Sequence, residues 1–271
     1  MENVAILGGG SWGTALAISL AKKKIAVDLW CRNTAQAEEM EKSRVNSKYL
    51  PNAELPEGVQ VTADLKDAVS GKSMVVLAVT SQSVRQVSSD IKPWLAKDAI
   101  VVNVAKGLEL GTNLRLSQVV EEVLPDNPFV ALCGPSHAEE VSIGMPTGLV
   151  AASHEREAAL AVQDMFISPT LRVYTNDDLI GVEIGGALKN IIALANGIAV
   201  GLGYGDNTQA MLLTRGLAEI TRLGVALGAK NATFLGLTGV GDLVVTCNSE
   251  HSRNRRCGEA LGRGEKLGQV L

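Results

Sequence analysis

Along the first 175 or so residues, short apolar runs alternate with stretches whose apolar positions recur at helical spacing. "NVAILG" (3–8), "IAVDLW" (25–30), "SMVVLAV" (73–79), "AIVVNV" (99–104) and "PFVALC" (128–133) have the unbroken apolar character of strands buried on both faces. "TGLVAAS" (147–153) and "LRVYT" (171–175) repeat it on either side of the helical "EREAALAVQDMF". Strands alternating with helices predict a doubly wound α/β sheet covered on both faces. From Asp177 onward the texture changes to helical runs alone, among them "DLIGVEIGGALKNIIALANGIAVGLG" and "TQAMLLTRGLAEITRLGVALGA". The pattern therefore predicts a Rossmann-type domain over 1–178 and an all-α domain over 179–271.

The chain ends on "EKLGQVL", with Leu267, Val270 and Leu271 on one helical face and no cap or breaker after them. This reads as a helical domain cut short.

Composition narrows the class. With 46% hydrophobic and 20% charged residues in a chain of 271, there is material for a real core. No apolar run is read as long enough to span a membrane, and "MENVAILGGG" lacks the basic start of a signal peptide, so a cytoplasmic protein without stable membrane insertion is expected. A net charge of −4 gives no reason to expect nucleic acid as a partner. Cys31, Cys133, Cys247 and Cys257 form no CxxC pair, and His137, His154 and His251 have no ligand spacing. Reduced thiols and no metal are expected.

The chemistry is concentrated in a few segments. Gly8-Gly9-Gly10-Ser11-Trp12-Gly13 satisfies GxGxxG between a strand and a helix. Gly8 permits the tight turn, Gly10 lets the backbone approach a pyrophosphate, and Gly13 lets helix and sheet pack closely. The helix start then offers amides to phosphate charge. At the end of the second strand, where an NAD site usually carries a carboxylate, stands Arg32, followed by Asn33. A guanidinium suits a ribose 2′-phosphate, which favours NADPH, with NADH still open. Lys106 in "NVAKGLE" follows a strand, where open sheets bind ligands. Lys189 lies among Leu188, Ile191, Ile192 and Leu194. Either it snorkels from a helix edge or it is buried for a purpose, with a pKa lowered toward proton transfer. "CGPSHAEEV" (133–141) and "GVGDLVVTCNSEHSRNRR" add polar groups, among them Asp242, Thr246 and the triplet Ser252-Arg253-Asn254. Arg253, Arg255 and Arg256 fit either a solvated helix face or a phosphate site.

In "GGGSWGTALA", "NVAKGLE", "CGPSHAEEV", "EIGGALKNIIALANGI" and "LTGVGDLVVTCNSEHSRNR", the sequence resembles the cytoplasmic NAD(P)-dependent glycerol-3-phosphate dehydrogenases of the bacterial type. The resemblance runs in order over essentially the whole chain. It implies reduction of dihydroxyacetone phosphate to sn-glycerol 3-phosphate, reversibly, feeding glycerophospholipid synthesis. By the same resemblance Ser11, Trp12, Ala138 and Arg253 contact the cofactor, joining Gly8, Gly10 and Gly13 of the glycine motif and Arg32 and Asn33 at the strand end. Lys189 exchanges the proton at the substrate's C2 oxygen. Lys106 holds and polarises the substrate beside the nicotinamide, and Asp242 works with both lysines. Gly134 and Ser136 touch substrate, while Ser252, Arg253 and Asn254 take its phosphate. The family continues for several dozen residues beyond the last position here, which agrees with a domain cut short. Two rivals stay open: another NADP-dependent hydroxyacid dehydrogenase, and a non-catalytic NADPH sensor, which would not need Lys106, Lys189 and Asp242 together. Oligomeric state is left open, a homodimer included.

Overall fold

A computed structural model describes residues 3–270. The chain divides into two compact units, Met1–Leu132 with Ser136–Asp177, and Cys133–Pro135 with Asp178–Leu271.

The first unit begins β1 (Asn3–Leu7), α1 (Ser11–Lys22), β2 (Ala26–Trp30) and α2 (Thr34–Ser43). A small hairpin follows, β3 (Val45–Asn46) with β4 (Leu50–Glu54), then β5 (Val59–Thr62) and α3 (Leu65–Val69). Next come β6 (Met74–Leu77), α4 (Val84–Ile91), β7 (Ile100–Asn103) and α5 (Leu116–Val123). The last elements are β8 (Phe129–Cys133), α6 (Ala138–Ser142), β9 (Thr147–Ala152), α7 (Arg156–Phe166) and β10 (Leu171–Asn176).

Eight strands form one sheet in the order β10-β9-β8-β7-β6-β1-β2-β5. Successive side chains on a strand point to opposite faces, and the burial follows that rule. Val4 and Ile6 of β1 join an apolar cluster with α1 and α7. Ala5 and Leu7 join a separate cluster with α3, α4 and α5. A strand buried on both sides needs helices on both sides, which is the doubly wound architecture that the pattern predicted.

Two details differ from the pattern. β5 pairs in parallel with β2 and completes the sheet, yet "VQVT" is short and alternates polar with apolar residues, so it gave no buried-strand signal. The sheet is also mixed. Ser153 Oγ, just after β9, donates to the Phe129 carbonyl at the start of β8 at 2.6 Å, so β9 runs against β8.

The second unit is helical: α8 (Leu179–Gly201), α9 (Asp206–Ala226), α10 (Asn231–Phe234), a π-helical turn (Leu237–Gly241), α11 (Asp242–Asn248), α12 (Arg253–Gly262) and α13 (Leu267–Val270). α8 corrects one expectation. Its 23 residues, with a mean hydropathy of 1.4 over its most apolar window, are long and apolar enough to cross a membrane by length and composition. The reading missed this because Glu183 and Lys189 interrupt the run. α8 is the central helix of its unit: it packs against α9, α11 and α12. Of the apolar stripe expected near the end, Leu267 is exposed and Val270 half-buried on α13, while Leu271 lies outside the described residues.

Candidate active site

The turn after β1 is shaped by what its glycines touch. Gly8 has φ +132, and the Ala78 carbonyl lies where its side chain would begin. A Cβ on Gly13 would strike the Gly8 carbonyl, and one on Gly9 would strike Cys31 Sγ. These three glycines are required by the protein's own packing. Gly10 is different: apart from its chain neighbours, no atom lies within 4 Å of the position its Cβ would take. It caps α1 without a side-chain bond, so the unpaired amides of the first helical turn open there. Ser11 and Trp12 are half-buried on that turn, and the Trp12 ring packs against the apolar cluster. The tryptophan therefore also anchors the turn to the core. Burial pushes the Cys31 thiol beneath Gly9 up to about 11.

Two side-chain amides hold the same turn, and neither had a sequence signal. Gln36 Nε2 donates to the Gly9 carbonyl at 2.7 Å. Asn46 Nδ2, buried on the hairpin, donates to that carbonyl at 3.0 Å and to Thr14 Oγ1 at 2.8 Å. A lone amide gives away nothing in a sequence; only the fold brings residues 36 and 46 to residue 9.

The other predicted residues of the first unit are spread over loop starts. Arg32 and Asn33 are exposed at the end of β2. Asn33 also has a structural task, since its side chain accepts from Gln36 N at 3.0 Å and caps α2. Lys106 is half-buried just past β7, ahead of Gly107 (φ +143), where a Cβ would meet Ser81 Oγ at 2.9 Å. Ser136 is half-buried before α6. Ala138 opens α6 with its methyl in the apolar core, so its backbone is the part able to meet a ligand.

In the second unit, Lys189 is 6% exposed, which settles it as buried rather than snorkelling. Its Nζ donates to Asp242 Oδ1 at 2.5 Å and to Thr246 Oγ1 at 2.6 Å. The Thr246 hydroxyl in turn donates to the Asp242 carbonyl at 2.6 Å. Such a pair stands only where attraction and hydrogen bonds offset the loss of water. Packing brings the partners together. Gly185, one helical turn before Lys189, has the Thr238 carbonyl where a side chain would begin. The π turn can therefore lie directly on α8, and Asp242 starts α11 at its end. Nearby burial pushes the Cys247 thiol up to about 11, although the Lys189 charge draws it the other way. Asp178 fixes the start of α8: its carboxylate accepts from Gly181 N (2.9 Å), Lys230 N (2.8 Å) and Thr233 Oγ1 (2.5 Å).

α8 and α12 meet backbone to backbone. Cβ atoms on Gly197 and Gly201 would strike the carbonyls of Arg255 and Glu259, and Cβ atoms on Gly258 and Gly262 would strike those of Leu194 and Ile198. This close approach ties Ser252-Arg253-Asn254 to the helix that carries Lys189. Ser252 caps α12, its Oγ accepting from Arg255 N at 3.2 Å. Arg253 and Arg256 are exposed, while Arg255 is half-buried and pairs with Glu259 at 3.7 Å. Gly134 (φ +151) forms the bend that leaves β8. Cys133 before it has its Sγ 3.9 Å from Asp242 Oδ2.

A glycine-turn sheet unit followed by a helical unit with a buried lysine–carboxylate pair is the layout of a two-domain, dinucleotide-dependent dehydrogenase. Comparison with known proteins gives the family. Residues 3–159 match the NAD-dependent glycerol-3-phosphate dehydrogenase N-terminus, and residues 178–271 the C-terminus of the same family. The chain belongs to that family and is an NAD(P)-dependent oxidoreductase acting on a CH–OH group. It is 57% identical over 270 residues to a glycerol-3-phosphate dehydrogenase [NAD(P)+] of Moorella thermoacetica, covering all of this chain and 80% of that protein. It is 53% identical over 271 residues to one of Clostridium perfringens, covering 82% of it. The crystal structure of glycerol-3-phosphate dehydrogenase from Coxiella burnetii superposes with a TM-score of 0.96 at 40% identity, over 99% of this chain and 82% of that one.

Proposed function

We propose that this chain reduces dihydroxyacetone phosphate to sn-glycerol 3-phosphate with NADPH, and catalyses the reverse. The observation that carries the reading is the buried Lys189–Asp242 pair at 2.5 Å. A buried ammonium held beside a carboxylate and a hydroxyl is suited to giving a proton to an oxygen as negative charge builds on it.

The residues present fit a dinucleotide. The space beside Gly10, which any Cβ would fill, lies at the mouth of the first helical amides. Gly8, Gly10 and Gly13 with Ser11 and Trp12 would hold the pyrophosphate end, and Arg32 with Asn33 the ribose and its 2′-phosphate. NADPH, when bound, supplies a hydride to the carbonyl carbon. The protein's own groups do the rest. Lys189 donates the proton to the C2 oxygen, and Asp242 and Thr246 keep its ammonium aimed. Lys106 polarises the carbonyl and reaches the cofactor. Gly134 and Ser136 position the substrate. Ser252, Arg253 and Asn254 take the phosphate; the Ser252 oxygen already accepts a backbone amide, so its O–H is the part that donates. Arg253 also meets the cofactor, as does the backbone of Ala138.

The product of this reaction is a precursor of glycerophospholipids, and a cytoplasmic enzyme would suit that supply. The test is NADPH oxidation measured with dihydroxyacetone phosphate and, in parallel, with a series of keto acids. Rapid turnover confined to the triose phosphate is expected. Turnover of a keto acid in its place would replace this reading with a hydroxyacid dehydrogenase, and NADPH binding without any turnover would replace it with a sensor.

A further inference from the structure

The Gly9 carbonyl accepts two side-chain hydrogen bonds, from Gln36 Nε2 at 2.7 Å and Asn46 Nδ2 at 3.0 Å. A carbonyl in a loop is ordinarily satisfied by one backbone amide or by water. Here two elements converge on it, Gln36 from α2 and Asn46 from the hairpin. Each amide is itself held. Asn33 caps the turn of α2 that carries Gln36. The Asn46 Nδ2 also bonds Thr14 Oγ1, and its Oδ1 accepts from Tyr49 N at 3.3 Å. Thr14 Oγ1 then donates to the Gly10 carbonyl at 2.8 Å.

This arrangement controls a peptide plane. The C=O of Gly9 and the N–H of Gly10 belong to one planar trans unit and point in opposite directions. Glycines on both sides leave that plane the widest rotational freedom of any residue pair. Pulling the Gly9 oxygen toward α2 and the hairpin turns the Gly10 N–H the opposite way across the peptide plane, and, chain neighbours aside, nothing lies within 4 Å of where a Gly10 Cβ would sit. We infer that Gln36 and Asn46 are positioning residues for the dinucleotide: they lock the Gly9–Gly10 peptide with its amide aimed at the pyrophosphate. The lock lowers the ordering cost that binding would otherwise carry. This rests on the dinucleotide reading above, and it adds the chain's own device for presetting a flexible turn.

Gln36→Glu removes the donor in nearly the same shape and sets a carboxylate against the Gly9 carbonyl; it lies on a half-exposed helix face, where folding tolerates the change. Asn46→Asp does the same from the hairpin, and Asn46→Gln keeps the amide. On the full chain, the Kd for NADPH is measured by calorimetry, with KM, kcat and the melting temperature alongside. Loss of one such bond is expected to raise Kd several-fold, up to about ten-fold. KM should rise in step with little change in kcat, and Asn46→Gln should recover part of the loss. A purely structural role would lower the melting temperature and leave the Kd of the folded protein unmoved. If Asn46→Asp does not fold, Gln36→Glu decides alone. An unchanged Kd in folded Gln36→Glu overturns the inference. Failure of the unaltered chain to bind NADPH would instead overturn the dinucleotide reading itself.

Discussion

The candidate residues of the two units are of different materials. In the first unit the glycine turn is a main-chain device: glycines, helix amides and one open position, Gly10, with the Gly9 carbonyl held by Gln36 and Asn46. In the second the device is side chain: an ammonium, a carboxylate and a hydroxyl packed out of water, with Lys189, Asp242 and Thr246 each at most 6% exposed. A main-chain site is specified by what must be absent, so a single added methyl defeats it. A side-chain site is specified by what must be present, so removal of one member takes a bond from each of the others. The first suits binding many times without change; the second suits moving a proton.

The largest effect should come from breaking the side-chain half. Asp242→Asn removes the carboxylate charge that faces the buried Lys189 ammonium, whose Nζ also donates to Thr246 Oγ1. Removing one partner of a buried pair typically costs about 3–5 kcal/mol, so chemical denaturation should show a loss of that order together with loss of turnover. A variant with unaltered stability would mean that the pair is not held as a buried ion pair in solution.

Breaking the main-chain half should separate two glycines. Gly13→Ala drives a methyl into the Gly8 carbonyl and should lower both the melting temperature and NADPH affinity. Gly10→Ala places its methyl in open space at φ −83, which an alanine adopts without strain, so stability should hold while NADPH binding weakens by ten-fold or more, about 1.4 kcal/mol. Equal stability losses in both variants would show that Gly10 is a packing glycine like its neighbours.

Arg32→Asp sharpens the contrast further, because it alters one exposed charge. NADPH binding should weaken by about 2 kcal/mol, as attraction to a 2′-phosphate becomes repulsion. NADH binding should hardly change. Equal losses for both dinucleotides would remove Arg32 from the 2′-phosphate site.

The smallest effect concerns two buried thiols. Cys31 and Cys247 are each raised from 9.0 to about 11 by burial. Their neutral forms favour the folded state, so this contribution is complete below about pH 9 and is lost as pH rises toward 11, where the unfolded chain ionises first. At pH 8 iodoacetamide should modify the partly exposed Cys257 of the folded chain well before either of them. Rapid labelling of Cys31 would show that the glycine turn opens readily.

How much of this was legible in the sequence follows from the same division. The glycine turn was readable because its spacing is local: six consecutive residues carry the geometry. Lys189 and Asp242 stood out as polar residues in apolar surroundings, but their meeting across 53 positions depends on Gly185 admitting the π turn, which no local pattern announces. β5 escaped because an edge strand need not be apolar on every residue, and α8 was not seen as span-like because two charges sit in it. Gln36 and Asn46 were invisible for a simpler reason. Their amides matter through a carbonyl brought to them by folding.

The division of labour between the halves is tested most directly by Lys189→Met, which keeps much of the side chain's stem and removes the ammonium. NADPH Kd and turnover of dihydroxyacetone phosphate are measured on the same folded preparation. The account predicts an NADPH Kd within about two-fold of the unaltered chain, well under 1 kcal/mol, with kcat lower by about 100- to 10,000-fold, the usual worth of general acid catalysis. A variant that keeps most of its kcat, or one that loses NADPH binding and turnover together, would contradict it.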